Sequence, residues 1–159
     1  MMICSRNRLR VCITLLIINL AFIWGNSLLP GSVSGAISNW VKDLLTKLLP
    51  FLFQGPAGES SGGLIRKLAH FTEFAALGVT FCWLFGMLCD VRIKQIALAL
   101  SSGALTACVD ETIQRFVPDR HGCLPDVCID TAGVITGILL FTTVYLLNQN
   151  HQKHSEETK

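Results

Sequence analysis

The chain has 159 residues, of which 51% are hydrophobic and only 15% charged, with a formal net charge of +2 and a mean hydropathy of +0.52. That balance is too apolar for a soluble domain and offers no basic patch suited to nucleic acid, so it points to the bilayer. A helical crossing of a hydrocarbon core about 30 Å thick takes about 20 mostly apolar residues, and four runs of that kind occur.

The first run, Val11 to Leu29, carries no charge and follows Arg6, Arg8 and Arg10. It exceeds the h-region of about 7–15 residues usual in a signal peptide, and no A-x-A site follows at the right distance, so an anchor is expected rather than a cleaved leader. Residues 36–53 differ in kind: Ile37, Trp40, Val41, Leu44, Leu45, Leu48 and Leu52 recur at three- and four-residue intervals, with Lys42, Asp43 and Lys47 opposite and Pro50 near the end. The pattern predicts an amphipathic helix lying in the outer interface, packed as a lid over the bundle mouth, or both. Gly55 to Gly63 reads as a flexible connector.

Three more crossings follow, at about 68–89 with His70 and Glu73, 96–117 with Asp110, Glu111 and Arg115, and 127–147 with Asp130. The polar tail 148–159 is expected to be solvated and disordered. The predicted architecture is thus all-α, one transmembrane domain over 1–147 built of four crossing helices and one interfacial helix, with no internal repeat. An even number of crossings puts both termini on one side. Arg6, Arg8 and Arg10, with Arg92 and Lys94 in the second-to-third loop, predict that this side is cytoplasmic. The full tally, seven basic residues inside against six outside, is a weak bias. Four of the outer six, Arg66, Lys67, Arg115 and Arg120, lie among acidic neighbours that would hold them there.

Among the seven cysteines, Cys12, Cys82, Cys89 and Cys108 lie in or beside apolar runs and read as small buried hydrophobes. Cys123 and Cys128 fall in or beside the outer loop and would be placed to pair if that side is oxidising. A zinc reading lacks a second cysteine pair, with His121 the one histidine nearby.

Alternating helix direction brings the ends of the first and third crossings and the starts of the second and fourth to one leaflet. There lie Trp24, Asn26 and Ser27; Arg66, Lys67, His70 and Glu73; Asp110, Glu111 and Gln114; and Arg120, Asp126 and Asp130. Spacings of three and four put Arg66, His70 and Glu73 on one face, Asp110 with Gln114 on another, and Glu111 with Arg115 beside them. Asp126, Asp130, Gly133 and Gly137 form one stripe, and its Gly-x-x-x-Gly permits a neighbouring helix, of this chain or of a second copy, to approach closely. A charge in hydrocarbon costs about 2.5–3.5 kcal/mol on insertion scales, so these groups should face inward and be partnered. A purely structural arrangement would pair Glu111 with Arg115 and Glu73 with Arg66. The gathering of so many such groups on one leaflet favours a pocket instead, since packing alone is achieved more cheaply with apolar residues.

The segments WGNSLLPG (24–31), KLAHFTEF (67–74), DETIQRFVPDR (110–120) and DVCIDTAG (126–133) resemble the successive signatures of the VanZ-like family, over about residues 11 to 145. The resemblance implies a small multi-pass protein of the bacterial cell envelope, in the cytoplasmic membrane, of a family whose named member confers resistance to the glycopeptide teicoplanin. Asp119 stands where members often carry Gly before the Arg, and Cys123 lies in a loop that usually needs no cysteine.

Two mechanisms fit these residues. In one, the pocket takes an anionic lipid or lipid-linked cell-wall precursor. Arg66, Lys67 and Arg120 would engage phosphate, helped by Gln114, Asp126 and Asp130, while His70 shuttles a proton and Glu73, Asp110 and Glu111 supply candidate acids and bases. A divalent cation held by Asp110, Glu111, Asp126 and Asp130 is a variant of this, because hard cations take oxygen ligands. In the other, the cluster only binds: the protein masks a target or seats a partner helix. No Ser or Cys nucleophile with an adjacent His appears, and no phosphate-cradling glycine loop, so whether a reaction is catalysed stays open.

Overall fold

The computed structural model describes residues 6–48 and 61–157, and within them the chain is helical apart from short connections. The helices are α1 (Arg6–Ser27), α2 (Gly31–Leu48), α3 (Ser61–Leu88), α4 (Arg92–Gln114) and α5 (Leu124–Glu157). Four of them, α1, α3, α4 and α5, are long and apolar enough to cross a membrane. Large hydrophobics such as Ile17, Ile18 and Phe22 on α1 and Leu139, Leu140 and Leu147 on α5 face outward. So many exposed apolar side chains would be a liability in water and are the expected coat of a multi-pass membrane protein.

α3 is the hub, contacting α1, α2, α4 and α5, with its broadest contact on α5. These two run parallel, because Gly133 abuts the carbonyl of Phe71 and Gly137 that of Ala75, one turn further on in both helices. A methyl group at either glycine would strike backbone, which explains why the stripe must stay bare. It is therefore filled by α3 of the same chain and is not a free surface for a second copy. Val134 between them presses on Gly78 and reaches Gly103 of α4, so three crossings meet at one residue. Around it Ile23, Phe74, Leu77, Phe81, Cys82, Ala99, Ala107 and Ile138 complete the apolar core. At the end away from the acidic residues, Gln95 Nε2 donates to the Cys82 carbonyl at 2.7 Å and the Arg92 guanidinium lies over the Tyr145 ring, 4.3 Å from its centre.

α2 sets a small face against the bundle and turns its apolar one away. Ser38 is buried and Ser34 half-buried, whereas Val33, Ile37, Trp40, Leu44 and Leu48 are exposed. It is amphipathic as expected, starts at Gly31 rather than 36, and combines the two expected roles: its apolar side suits the headgroup boundary and its serine side covers the bundle; the expected end at 53 lies outside the described residues. Its start is fixed by the Gly31 amide donating to the Pro118 carbonyl at 3.0 Å. A Cβ on Gly31 would collide with the Asp119 carbonyl.

Two expectations need correction at the ends. α5 continues through the polar residues to Glu157 instead of giving way to a disordered tail at 148. Gly63 and the two residues before it already belong to α3, while the rest of the expected connector, 55–60, and Leu52 lie outside the described residues.

The glycine contact yields a stability test. Gly137→Ala should cost about 1–3 kcal/mol, as overpacking does, read as a lower unfolding midpoint of the detergent-solubilised protein. Gly25→Ala on α1, where a Cβ meets nothing within 4 Å, should stay within about 0.5 kcal/mol of the parent. Equal midpoints for the two variants would refute the close α3–α5 approach.

Candidate functional site

The polar residues singled out in the sequence meet at one end of the bundle. α3 presents Arg66, Lys67, His70 and Glu73 from its first turns, α4 brings Asp110, Glu111 and Gln114 in its last two, and α5 opens with Asp126 and Asp130. Asp110 is fully buried, Asp130 is 1% exposed, and Glu111, Gln114 and Arg120 are buried beside them. Helix ends can host such groups because the neighbouring amides and carbonyls there lack intrahelical partners.

Gln114 is the central tie: its amide donates to Asp110 Oδ2 at 2.9 Å, to Glu111 Oε1 at 3.1 Å and, at the limit of reach, to Ser27 Oγ at 3.4 Å. Glu111 Oε2 accepts the backbone N–H of Cys123 at 2.8 Å, which clamps the α4–α5 loop to α4. Glu73 accepts from Asn26 Nδ2 at 2.9 Å. Lys67 Nζ lies 3.4 Å from Asp126 Oδ1 without hydrogen-bond alignment, and His70 Nδ1 is 3.9 Å from Asp110 Oδ2, too far for a hydrogen bond. Among the described residues these are the two ion pairs. The structural pairs considered above, Glu111 with Arg115 and Glu73 with Arg66, do not form: Arg115 turns to the Gly122 carbonyl instead.

Arg120 departs furthest from expectation. Its Nε donates to the Leu29 carbonyl at 2.9 Å and its Nη2 to the Asn26 carbonyl at 2.7 Å. The fork that would suit a phosphate instead caps the C-terminal carbonyls of α1, leaving Nη1 alone unpartnered. Burial, then the Arg66 guanidinium, lowers its pKa from the usual range, opposed by Asp110, Glu111 and Glu73. It stays charged, as arginine does in proteins.

Asp119, in the loop just before it, has φ 58°, the left-handed region that glycine enters freely and aspartate tolerates.

The four carboxylates expected around one cation do not meet as one set. His70, Asp110 and Asp130 bring ligand atoms within 4.8 Å of one another, and Glu111, Cys123 and Asp126 form a separate group of the same tightness. His121 is exposed and belongs to neither. Cys123 and Cys128 are free thiols, not a pair; Cys123 Sγ donates to Asp126 Oδ2 at 3.2 Å. That bond holds the thiol protonated and raises its pKa.

Two clefts flank the cluster. One, a narrow cleft of about 10 Å³, is lined by Arg66, Lys67, His70, Glu111, Asp126 and Asp130 among others. The other, about 90 Å³, lies under α2, between Ser34, Ile37 and Ser38 on one wall and Asn26, Glu73 and Arg120 on the other. Sequence reasoning treated Asn26 and Ser27 only as closing the first helix. Here Asn26 serves the site twice, through its side chain to Glu73 and its carbonyl to Arg120. The signal was an amide placed in the last turn of an otherwise uncharged apolar run.

A model of the VanZ/LLP1 family matches residues 11–147. The chain belongs to that family. No curated protein and no solved structure matches it. The match spans all four crossings of this VanZ-like protein and every residue of the cluster.

The thiol contact is testable. In a chain keeping Cys123 as its one cysteine, maleimide modification should reach half its maximal rate at a pH above the ordinary cysteine value of about 8.5. Asp126→Ala should bring that pH down. An unchanged profile would contradict the Cys123–Asp126 bond.

Proposed function

We propose that this VanZ-like protein acts in the bacterial cell envelope as a receptor for an anionic lipid or lipid-linked wall precursor at the outer face of the cytoplasmic membrane. Through that pocket it contributes to teicoplanin-type glycopeptide resistance. The observation that carries the reading is the polarity of the cleft. Arg66 and Lys67 stand at its mouth, Arg66 without a hydrogen bond or ion pair among the described residues, while the imidazole and buried carboxylates form its floor. A phosphate would find cations at the headgroup level, and its attached group would meet His70 and the acids behind. Arg6, Arg8 and Arg10 in the first turns of α1, and Arg92 with Lys94 in the first turn of α4, support cytoplasmic termini and an outward-facing pocket.

If a reaction is catalysed, His70 is the proton shuttle and Asp110, Glu111 and Glu73 are the acid and base candidates, with Gln114, Arg120, Asp126 and Asp130 shaping the site. A second reading, a non-catalytic binding or scaffold protein, draws support from how many of these groups are already engaged within the chain. Gln114, Glu111 and two nitrogens of Arg120 all have internal partners. In that case the cleft holds or masks its target without turning it over.

Asp110→Asn and Glu111→Gln keep shape and remove charge, and Arg66→Ala removes the free cation. Expressed in a susceptible Gram-positive host, Arg66→Ala should lower the teicoplanin inhibitory concentration to that of cells lacking the protein. Native mass spectrometry should show an anionic lipid on the parent and its loss from this variant. Wild-type protection by Arg66→Ala at equal membrane levels would reject the anionic pocket. If protection is lost with Asp110→Asn and Glu111→Gln while lipid is still bound, chemistry is favoured over mere binding; if it is retained, acid–base work at those carboxylates is excluded.

A further inference from the structure

We infer that the group formed by His70, Asp110 and Asp130 is a binding site for one divalent transition-metal ion, of which Zn2+ is the natural probe. The three side chains come from three different crossings, and a ligand atom from each lies within 4.8 Å of the other two. Around a tetrahedral ion bound at about 2.0–2.2 Å, ligand atoms stand ~3.3–3.6 Å apart, so inward movements of less than about an ångström would close the set. Proximity alone would not carry the inference, because acidic clusters are common. The decisive observation is that each member of the group keeps a buried atom without a hydrogen-bond partner: His70 Nδ1, Asp110 Oδ1 and Asp130 Oδ2, the two aspartates being 0% and 1% exposed. His70 Nδ1 lies 3.9 Å from the other Asp110 oxygen, so the imidazole faces that carboxylate.

Two buried carboxylates, each keeping an oxygen without a partner, are costly in so apolar a place. One divalent ion balances both charges, with the neutral imidazole as third ligand. Gln114 fixes the other oxygen of Asp110, orienting the carboxylate as the partners of metal ligands do. One nitrogen and two oxygens suit Zn2+ or Mn2+ better than Mg2+ or Ca2+, which take oxygen alone. The second group, Glu111 with Cys123 and Asp126, lacks this readiness. Both Glu111 oxygens already accept hydrogen bonds and the Cys123 thiol donates to Asp126 Oδ2, so Asp126 Oδ1, with Lys67 3.4 Å away, is the one atom of the group without a hydrogen bond.

His70 and Asp130 also line the cleft that carries Arg66 and Lys67. Three protein ligands leave a coordination position open toward it, where a phosphate oxygen or a water would bind. The inference extends the pocket reading by naming what sits at its floor, yet it is tested with metal alone. Zinc binding in detergent and lipid co-purification can therefore fail separately.

The untagged full-length protein, stripped with chelator in detergent, would be titrated calorimetrically with ZnCl2 and, in parallel, MgCl2. One saturable Zn2+ per chain is expected, with affinity at least about tenfold lower in both His70→Gln and Asp130→Asn, as loss of a ligand implies. Asp90→Asn, an exposed carboxylate between α3 and α4 at the other end of the bundle, should leave it unchanged. Absent saturable zinc binding, a preference for Mg2+, or parental affinity in either ligand variant overturns the assignment. Should those variants fail to fold, X-ray absorption of the zinc-loaded parent decides. Nitrogen and oxygen neighbours at about 2.0–2.2 Å support the triad, and a sulfur neighbour at about 2.3 Å overturns it in favour of Cys123.

Discussion

Where Gly133 and Gly137 meet the carbonyls of Phe71 and Ala75, α3 and α5 run together with no side chain between them, and the polar end depends on that contact. Helices inside a bilayer gain little from burying apolar surface against each other, because lipid tails are as apolar as leucine. Close backbone packing has to supply the attraction instead. One turn before Gly133 on the same stripe lies Asp130, and one turn before Phe71 and Glu73 lie Lys67 and His70. The glycine contact therefore fixes how far the acids of α5 stand from the imidazole and cations of α3. Wider helices would leave each of these groups facing hydrocarbon or headgroup on its own, at a cost of about 2.5–3.5 kcal/mol for each charge.

A second device closes the end of the bundle. α1 stops at Ser27, and the carbonyls at and just beyond its end lack intrahelical partners. Arg120 donates to those of Asn26, in the last turn, and Leu29, two residues past it, from a loop some ninety residues away. The loop can deliver it because Asp119 takes a left-handed conformation and because Gly31 leaves room for the Asp119 carbonyl. The start of α2, the end of α1 and the α4–α5 loop are thus one joint. Any ligand entering beneath α2 meets a wall whose shape is set by this joint, not by the crossings themselves.

How much of this was legible in the sequence depends on the kind of question. Run length and helix alternation sufficed for the four crossings, since backbone hydrogen bonding in lipid leaves almost no alternative to helices. The same alternation put the polar residues at one end. Partner choice was not legible, because spacing defines which residues share a face of one helix but not how neighbouring helices are rotated. Glu73 could reach Arg66 on its own helix or Asn26 across the gap, and only packing selects Asn26. The four carboxylates looked like one ligand set for the same reason and divide in two. The C-terminal segment failed differently. Residues after 147 are polar but include good helix formers and neither Gly nor Pro, so a helix already nucleated in α5 simply propagates, aided by Gln149 bonding Tyr145 one turn back at 2.6 Å.

The asymmetry of the bundle bears on what kind of ligand fits. Below the polar end the interior is filled by Phe74, Leu77, Phe81, Ala107, Val134 and Ile138, with Phe81 and Phe85 stacked at 6.1 Å. At the far end Gln95 donates to the Cys82 carbonyl and Arg92 lies over the Tyr145 ring. A polar cleft at one end of the bundle, with the apolar core beyond its imidazole and carboxylates, suits a ligand that is itself amphipathic. Its charged head would lie against Arg66 and Lys67, and its chain would remain in the lipid along the exposed apolar faces of the bundle. Binding of that kind requires no opening of the core, which is consistent with a polar cluster built at the helix ends rather than midway along them.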